Sequence, residues 1–256
     1  MILVNILKGI AAYQGSFQLI RKLKLWKYFA IPIAISLITA TTIGLLAWNL
    51  GDDLGVFIQK IWIWEWGAQG FQKVSNVMGG LIILVLGLIL YRHIIMALSA
   101  PFMGVVSEKI EKHHYGEHHF HEESGFFQLL LRGIRINVRN LLLEILITIP
   151  IFILGFIPVV GIVSSVLVIL VQSYYAGFGN MDYTLERHYT YSNSIKFVRN
   201  NRGIAIGNGL IFIVILMIPV IGIILVLPFS VTAASVATLK RMESDETVNL
   251  LPKKVA

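Results

Sequence analysis

Three basic trios recur along the chain at spacings of three or four residues: Arg21, Lys24 and Lys27; Arg132, Arg135 and Arg139; Lys196, Arg199 and Arg202. On a helix, such spacing places each trio near one face. Clustered cations concentrate anions from solution, so the first candidate chemistry is anion capture by Lys24, Lys27, Arg132, Arg135, Lys196, Arg199 and Arg202. The same pattern suits lipid headgroups and the orientation of a membrane chain, and these readings stay open beside the first. A second concentration is "HHYGEHHFH", which holds His113, His114, His118, His119 and His121 with Glu111 and Glu117 close by. Imidazole and carboxylate together suit zinc, nickel or copper. Gly116 interrupts the stretch and no standard ligand spacing fits, so the competing reading is a solvated loop whose charge follows pH. No nucleophile–base arrangement, phosphate loop or zincin motif is visible, which points away from an enzyme and from any cofactor. Cysteine is absent, which excludes disulfide and thiol chemistry.

The elements that must position these residues are set by hydropathy. Of 256 residues, 56% are hydrophobic and 14% charged, with a mean hydropathy of +0.77; a soluble domain carries about 25% charged residues. Uncharged runs of 24 residues (28–51), 18 residues (74–91) and twice 37 residues (145–181 and 203–239) follow one another. A spanning helix needs roughly 20 apolar residues, and within lipid a helix satisfies the backbone of a run that does not alternate. The net charge of +7 then reports orientation rather than nucleic-acid binding. Of the 21 basic residues, 19 lie outside the loop from Asp52 to Lys73, which carries Trp62, Trp64 and Trp66. Indoles favour the headgroup layer, so this loop is expected to face outward and both termini to lie in the cytoplasm.

With both flanks cytoplasmic, each 37-residue run must enter the bilayer and return. The centres read "GFIPVVGI" (Gly155–Ile162) and "LMIPVIGI" (Leu216–Ile223), 61 positions apart. Proline removes a donor and glycine permits positive φ, so Gly155, Pro158 and Gly161, and Pro219 with Gly222, are expected at two hairpin tips. The first arm, counted from Ile145 to Ile157, has 13 residues, and the second, from Gly203 to Ile218, has 16. At about 1.5 Å per residue these favour hairpins that dip partway into a hydrocarbon layer of about 30 Å, with full crossing as the alternative. Exposed turns do not rest against lipid tails, so the tips are expected to be buried in protein or to line water. Asn208, between Gly207 and Gly209, reads as a substrate contact or as helix packing. Asp182 and Glu186 are expected to pair with Arg187 or Arg199 rather than to couple protons.

The resulting plan is one all-α integral membrane domain with two transmembrane helices, two Pro-Gly-tipped membrane-penetrating hairpins and amphipathic interfacial helices. Its segments are an interfacial helix (1–27), spans (28–51 and 74–96), a histidine-rich cytoplasmic segment (97–124), two units of basic helix plus hairpin (125–181 and 182–240) and a tail (241–256).

Three segments resemble the family that contains the bacterial CysZ sulfate permeases. "SAPFMGVVSEKIE" (Ser99–Glu111), with Pro101 and Phe102, is similar to the family's A-P-F segment after the second span. "MDYTLERH" (Met181–His188) is similar to its D-Y-P motif, with Asp182, Tyr183 and His188 in place and Thr184 where proline is usual. "IPVIGIILVLPFSVTAASVAT" (Ile218–Thr238) resembles its last hairpin and includes Pro228. The permeases also carry a Pro-Gly-Leu-Arg-Arg-like segment before the first span, where this chain reads Leu23, Lys24, Leu25, Trp26, Lys27. The glycine is replaced, and the remaining lysine attracts an anion without a bidentate fork. The resemblance implies an oligomeric helical permease of the bacterial inner membrane that admits sulfate for cysteine synthesis. Two other readings stand beside it: a non-transporting scaffold with wedge-like hairpins, and metal export or sensing through the histidines.

Overall fold

The computed structural model describes residues 2–60, 68–116, 125–155, 157, 160–218 and 220–244, and every regular element among them is an α-helix. In chain order these are α1 (Ile2–Ala11), α2 (Ser16–Lys22), α3 (Trp26–Gln59), α4 (Ala68–Tyr115), α5 (Phe126–Leu154), α6 (Val160–Leu185), α7 (Tyr191–Asn200), α8 (Arg202–Leu216) and α9 (Ile221–Ser244). Five stretches are long and apolar enough to cross a membrane: α3, Val74–Tyr115 within α4, α5, α6 and α9.

Small residues set the helix contacts. Along α3 and α4, which run antiparallel, Gly51 lies against Gly80, Gly55 against Asn76, and Gly87 against Ile43. Where α6 meets α8, a side chain on Gly209 would run into the Ser173 carbonyl, and one on Gly177 into that of Ala205. Lipid tails are as apolar as leucine, so membrane helices gain by close backbone approach rather than by hydrophobic exclusion. The interior of the bundle is filled by Phe29, Tyr91, Ile95, Met96, Phe212 and Val226.

Several elements run further than the uncharged stretches. The helix expected to end at 96 continues to Tyr115, so 97–115 is not a loop, and α3 continues through Asp52 and Asp53 to Gln59. The basic trio before the first hairpin is not on a separate helix: Arg132, Arg135 and Arg139 lie on the same 29-residue α5 that reaches the first tip. Glu144 does not end that helix because it is paired inside the protein with Arg92 and His93. The first arm is therefore about 44 Å long at 1.5 Å per residue, not the short arm counted from 145. The segment 1–27 is likewise two helices joined by a turn at Gly15 (φ 83°), not one. α1 packs against α8, with Gly9 beside Gly207 and Asn208, and Gly203 beside Asn5.

Pro158 and Pro219 lie outside the described residues. Around them the turns bond locally: Gly155 N–H donates to Ile151 and Phe152 carbonyls, Gly161 N–H to Ile157, and Gly222 N–H to Ile218. Beside the tips, Ile162 is 75% and Met217 77% exposed within the chain. Val220 holds φ 62°, a strained value for a β-branched residue.

Candidate anion-binding site

The α4, α5 and α6 ends opposite the tips are joined by buried ion pairs. Arg132 of α5 grips Asp182 of α6 in a two-pronged pair (Nε–Oδ2 3.1 Å, Nη2–Oδ1 3.0 Å) and also donates to the Tyr189 carbonyl and to Ser194 Oγ. Arg187 donates to Glu111 Oε2 (3.0 Å), to the Gly104 and Tyr183 carbonyls and to Ser107 Oγ. His188 Nε2 lies 2.7 Å from Glu111 Oε1. Tyr183 donates to the Met96 carbonyl at 2.6 Å. The motif residues Asp182, Tyr183 and His188 thus latch α6 to α4 and α5. Pro101 is buried within α4, and Phe102 meets Phe126 edge-on. Pro228 is buried in α9, its carbonyl accepting from Thr232. Asp182 pairs with Arg132 rather than with Arg187 or Arg199, whereas Glu186 does meet Arg187 as expected (Oε1–Nη1 4.0 Å).

A second ionic group lies deeper. Arg92 and His93 of α4 both reach Glu144 of α5, His93 Nε2 at 3.1 Å from Oε2. All three are buried. Sequence reasoning used Arg92 and Glu144 only as the ends of uncharged runs; a lone carboxylate inside an apolar helical pattern was the signal that called for a partner.

A third group is uncharged and sits where α6, α8 and α9 meet. Asn180 Nδ2 donates to Asn208 Oδ1 (2.9 Å), and Asn208 Nδ2 to the Ser230 carbonyl (3.0 Å). The Tyr13 hydroxyl donates to the Asn208 carbonyl at 2.9 Å and lies 2.7 Å from Ser230 Oγ. Burial pushes the Tyr13 phenol well above the usual tyrosine range, so it stays a donor. Asn180 Oδ1, Ser235 Oγ and Thr238 Oγ1 are buried with no partner within the protein.

The predicted cations separate. Arg132 is consumed by Asp182. Arg135 stacks over Tyr191 at 4.0 Å. Lys27 lies over Tyr28 at 5.1 Å, opposite Lys109 at 5.2 Å. Lys196, Arg199 and Arg202 are exposed. The Arg139 guanidinium lies 5.5 Å from the Phe178 ring. Of the histidines, His113 faces Lys22 at 3.4 Å and His114 faces Glu243 at 3.0 Å. His118, His119 and His121 lie outside the described residues, among which no group of three or more metal-ligating side chains occurs.

Lys24 closes α2. It sits at φ 51°, while Leu25 N–H reaches back to the Ile20 carbonyl at 2.9 Å. This is the left-handed helix ending usually made by glycine, and both Ile20 and Leu25 are fully buried. The turn is thus of the kind glycine usually makes, with a lysine in the strained position. Lys24→Gly is expected to raise stability by about 1 kcal/mol, since a non-glycine residue in that conformation costs roughly that much. A thermal midpoint in detergent equal to or below that of the parent would contradict this.

The family described as Sulfate transporter CysZ/Etoposide-induced protein 2.4 matches residues 12–227. The chain belongs to this family. With five helices among the described residues able to cross a membrane, the chain is a multi-pass membrane protein. The match takes in α2 to α8 and the first turns of α9; α1 precedes it, and Pro228 follows it by one residue. No curated protein matches the sequence.

Proposed function

We propose that the chain is an oligomeric permease for a small inorganic anion, with sulfate the leading candidate, in the bacterial inner membrane with both termini cytoplasmic. Sulfate entering this way would supply cysteine synthesis. The observation that carries the reading is a set of fully buried, uncharged polar groups: Asn180, Asn208 and Ser230, bonded together where α6, α8 and α9 meet, and Ser235 and Thr238 further along α9. Hydroxyls and amides in a membrane bundle are normally paired, and three of these retain an atom that nothing in the protein bonds. Neutral dipoles of this kind replace an ion's hydration without holding it as firmly as a fixed charge. The α5–α6 and α8–α9 hairpins, dipping from the cytoplasmic side, would carry these groups into the bilayer.

The test is uptake of labelled sulfate into proteoliposomes. Uptake faster than in empty vesicles is expected, reduced about three- to tenfold by Ser235→Ala, the effect of one lost hydrogen bond. Ser235→Ala removes an oxygen that the fold does not use, so stability should be unchanged. Uptake equal to that of empty vesicles would defeat the proposal. The second reading, a non-transporting scaffold with wedge-like hairpins, is favoured by the exposed apolar tips and by α8, whose 15 residues reach only about 22 Å. It predicts altered vesicle shape without sulfate flux.

A further inference from the structure

Tyr13 stands where two parts of the molecule meet. The bonds among Asn180, Asn208 and Ser230 join α6, α8 and α9. The Tyr13 hydroxyl enters that group from a fourth place, the corner between α1 and α2. It donates to the Asn208 carbonyl at 2.9 Å and lies 2.7 Å from Ser230 Oγ. Asn180, Asn208 and Ser230 are fully buried, and Asn180 Oδ1 has no partner within the protein. A buried oxygen of that kind is normally met by a donor from protein or water. The group is thus polar, closed and one bond short.

The corner that closes it is held differently from the rest of the bundle. Buried ion pairs fasten α4, α5 and α6 to one another: Arg92 with Glu144, Arg132 with Asp182, Arg187 with Glu111. The charged residues of α1 and α2 are Lys8, Arg21 and Lys22, and among the described residues none has a carboxylate partner. α1 touches α8 through glycine instead: a side chain on Gly9 would meet the Ile204 carbonyl, and one on Gly207 the carbonyl of Ile6. Phe17 of α2 stacks on Phe229, the neighbour of Ser230, at 6.4 Å. Two left-handed residues bracket α2, Gly15 (φ 83°) and Lys24 (φ 51°), and nothing lies within 4 Å of a Cβ at Gly15. The other side of α1 is apolar and uncovered, with Leu3 and Leu7 exposed and one turn apart on the same face. A helix with such a face also rests well at a membrane surface, so α1 has a second place to lie.

We infer that Tyr13 is the gate of this polar group: the α1–α2 corner closes it as a displaceable plug, and release of the Tyr13 hydroxyl lets water and small solutes reach Asn208 and Ser230. An aromatic ring alone would fill the place. The hydroxyl adds a bond to α8 through Asn208 and a contact to α9 through Ser230, so its release frees the corner from both helices at once. The closure is a property of the packing; its use in admitting an anion rests on the permease reading.

The chain has no cysteine, so single cysteines report without background. Ser230→Cys is the reporter, and the Tyr13 bond to the Asn208 carbonyl remains in it. Val106→Cys, fully buried in α4, and Lys240→Cys, exposed on α9, are the references. Each is placed in the full chain in lipid nanodiscs, and its labelling by a charged methanethiosulfonate is timed. With Tyr13 intact, Ser230→Cys should react at least tenfold more slowly than Lys240→Cys. Tyr13→Ala should speed it at least tenfold, and Tyr13→Phe about three- to tenfold, the effect of one lost hydrogen bond. Neither should speed Val106→Cys. Tyr13→Phe keeps the ring and carries the test should Tyr13→Ala fail to fold. Fast labelling of Ser230→Cys with Tyr13 intact, labelling unchanged by the Tyr13 variants, or equal acceleration of Val106→Cys, the mark of a loosened bundle, would each overturn the inference. Uptake of labelled sulfate by the same chains separates the two readings. Labelling gained together with uptake supports both. Labelling gained with no uptake by any chain keeps the gate and removes the permease. Uptake with labelling unchanged keeps the permease and removes the gate.

Discussion

Glu144→Ala is expected to destabilise the folded chain by about 3–5 kcal/mol, the usual cost of removing one partner from a buried ion pair. The carboxylate is the shared acceptor for Arg92 and for His93. Without it, the Arg92 guanidinium, on a residue only 4% exposed, would be left as an uncompensated charge between α4 and α5. The loss comes mainly from that stranded charge rather than from the missing bond. The double variant Arg92→Met/Glu144→Leu should therefore be far less damaged than Glu144→Ala alone, because apolar groups of similar volume often replace a buried pair at little cost. Unfolding by denaturant in detergent, read by circular dichroism, measures both. A double variant as unstable as the single one would show that the pair itself, and not the exposed remainder, supports the helix contact.

The other large effect is expected at the α6–α8 contact. Any Cβ at position 209 meets the carbonyl oxygen of Ser173, its carbon and its Cα, all main-chain atoms of the facing helix. A flexible side chain would yield; main chain does not. Gly209→Val should therefore push α8 from α6 and cost about 1–3 kcal/mol or more, the range for overpacked interiors. It should also disturb the Asn180–Asn208 bond beside it. Gly44, in α3, is the control, since nothing lies within 4 Å of a Cβ there. Gly44→Ala is expected to be neutral or to stabilise by up to about 1 kcal/mol through helix propensity. Opposite signs at two helical glycines, one packed and one open, are the observation to seek. Equal small effects at both would mean that the helix contact tolerates separation.

How far these features could be read from the sequence depended on their range. The uncharged runs located the apolar helices, because hydropathy is local and lipid imposes helix on every such run. Helix ends were misplaced wherever a charge was taken as a boundary. Arg92 and Glu144 stand inside continuous helices because each is neutralised by the other, 52 positions away. Arg132 looked like a candidate for anion capture for the same reason: its carboxylate lies 50 positions further along, and no local pattern announces it. The tips were expected to need shelter because proline and glycine remove or expose backbone groups. The N–H groups of Gly155, Gly161 and Gly222 find local acceptors, which composition alone does not reveal. The replacement at Lys24 read only as the loss of a glycine; that the backbone there takes a left-handed value, between the buried Ile20 and Leu25, needed the structure.

The seat of α1 has a consequence for assembly. Tyr13 is held by Asn208 and Ser230, which follow it by 195 and 217 residues, so a ribosome must add most of the chain before that seat exists. Until then α1, with Leu3 and Leu7 uncovered, must wait in the lipid or in the care of the insertion machinery. Its docking is a closing step of biogenesis, and a bulky fusion placed ahead of it would be felt as a late-stage failure of assembly while the spans themselves still insert.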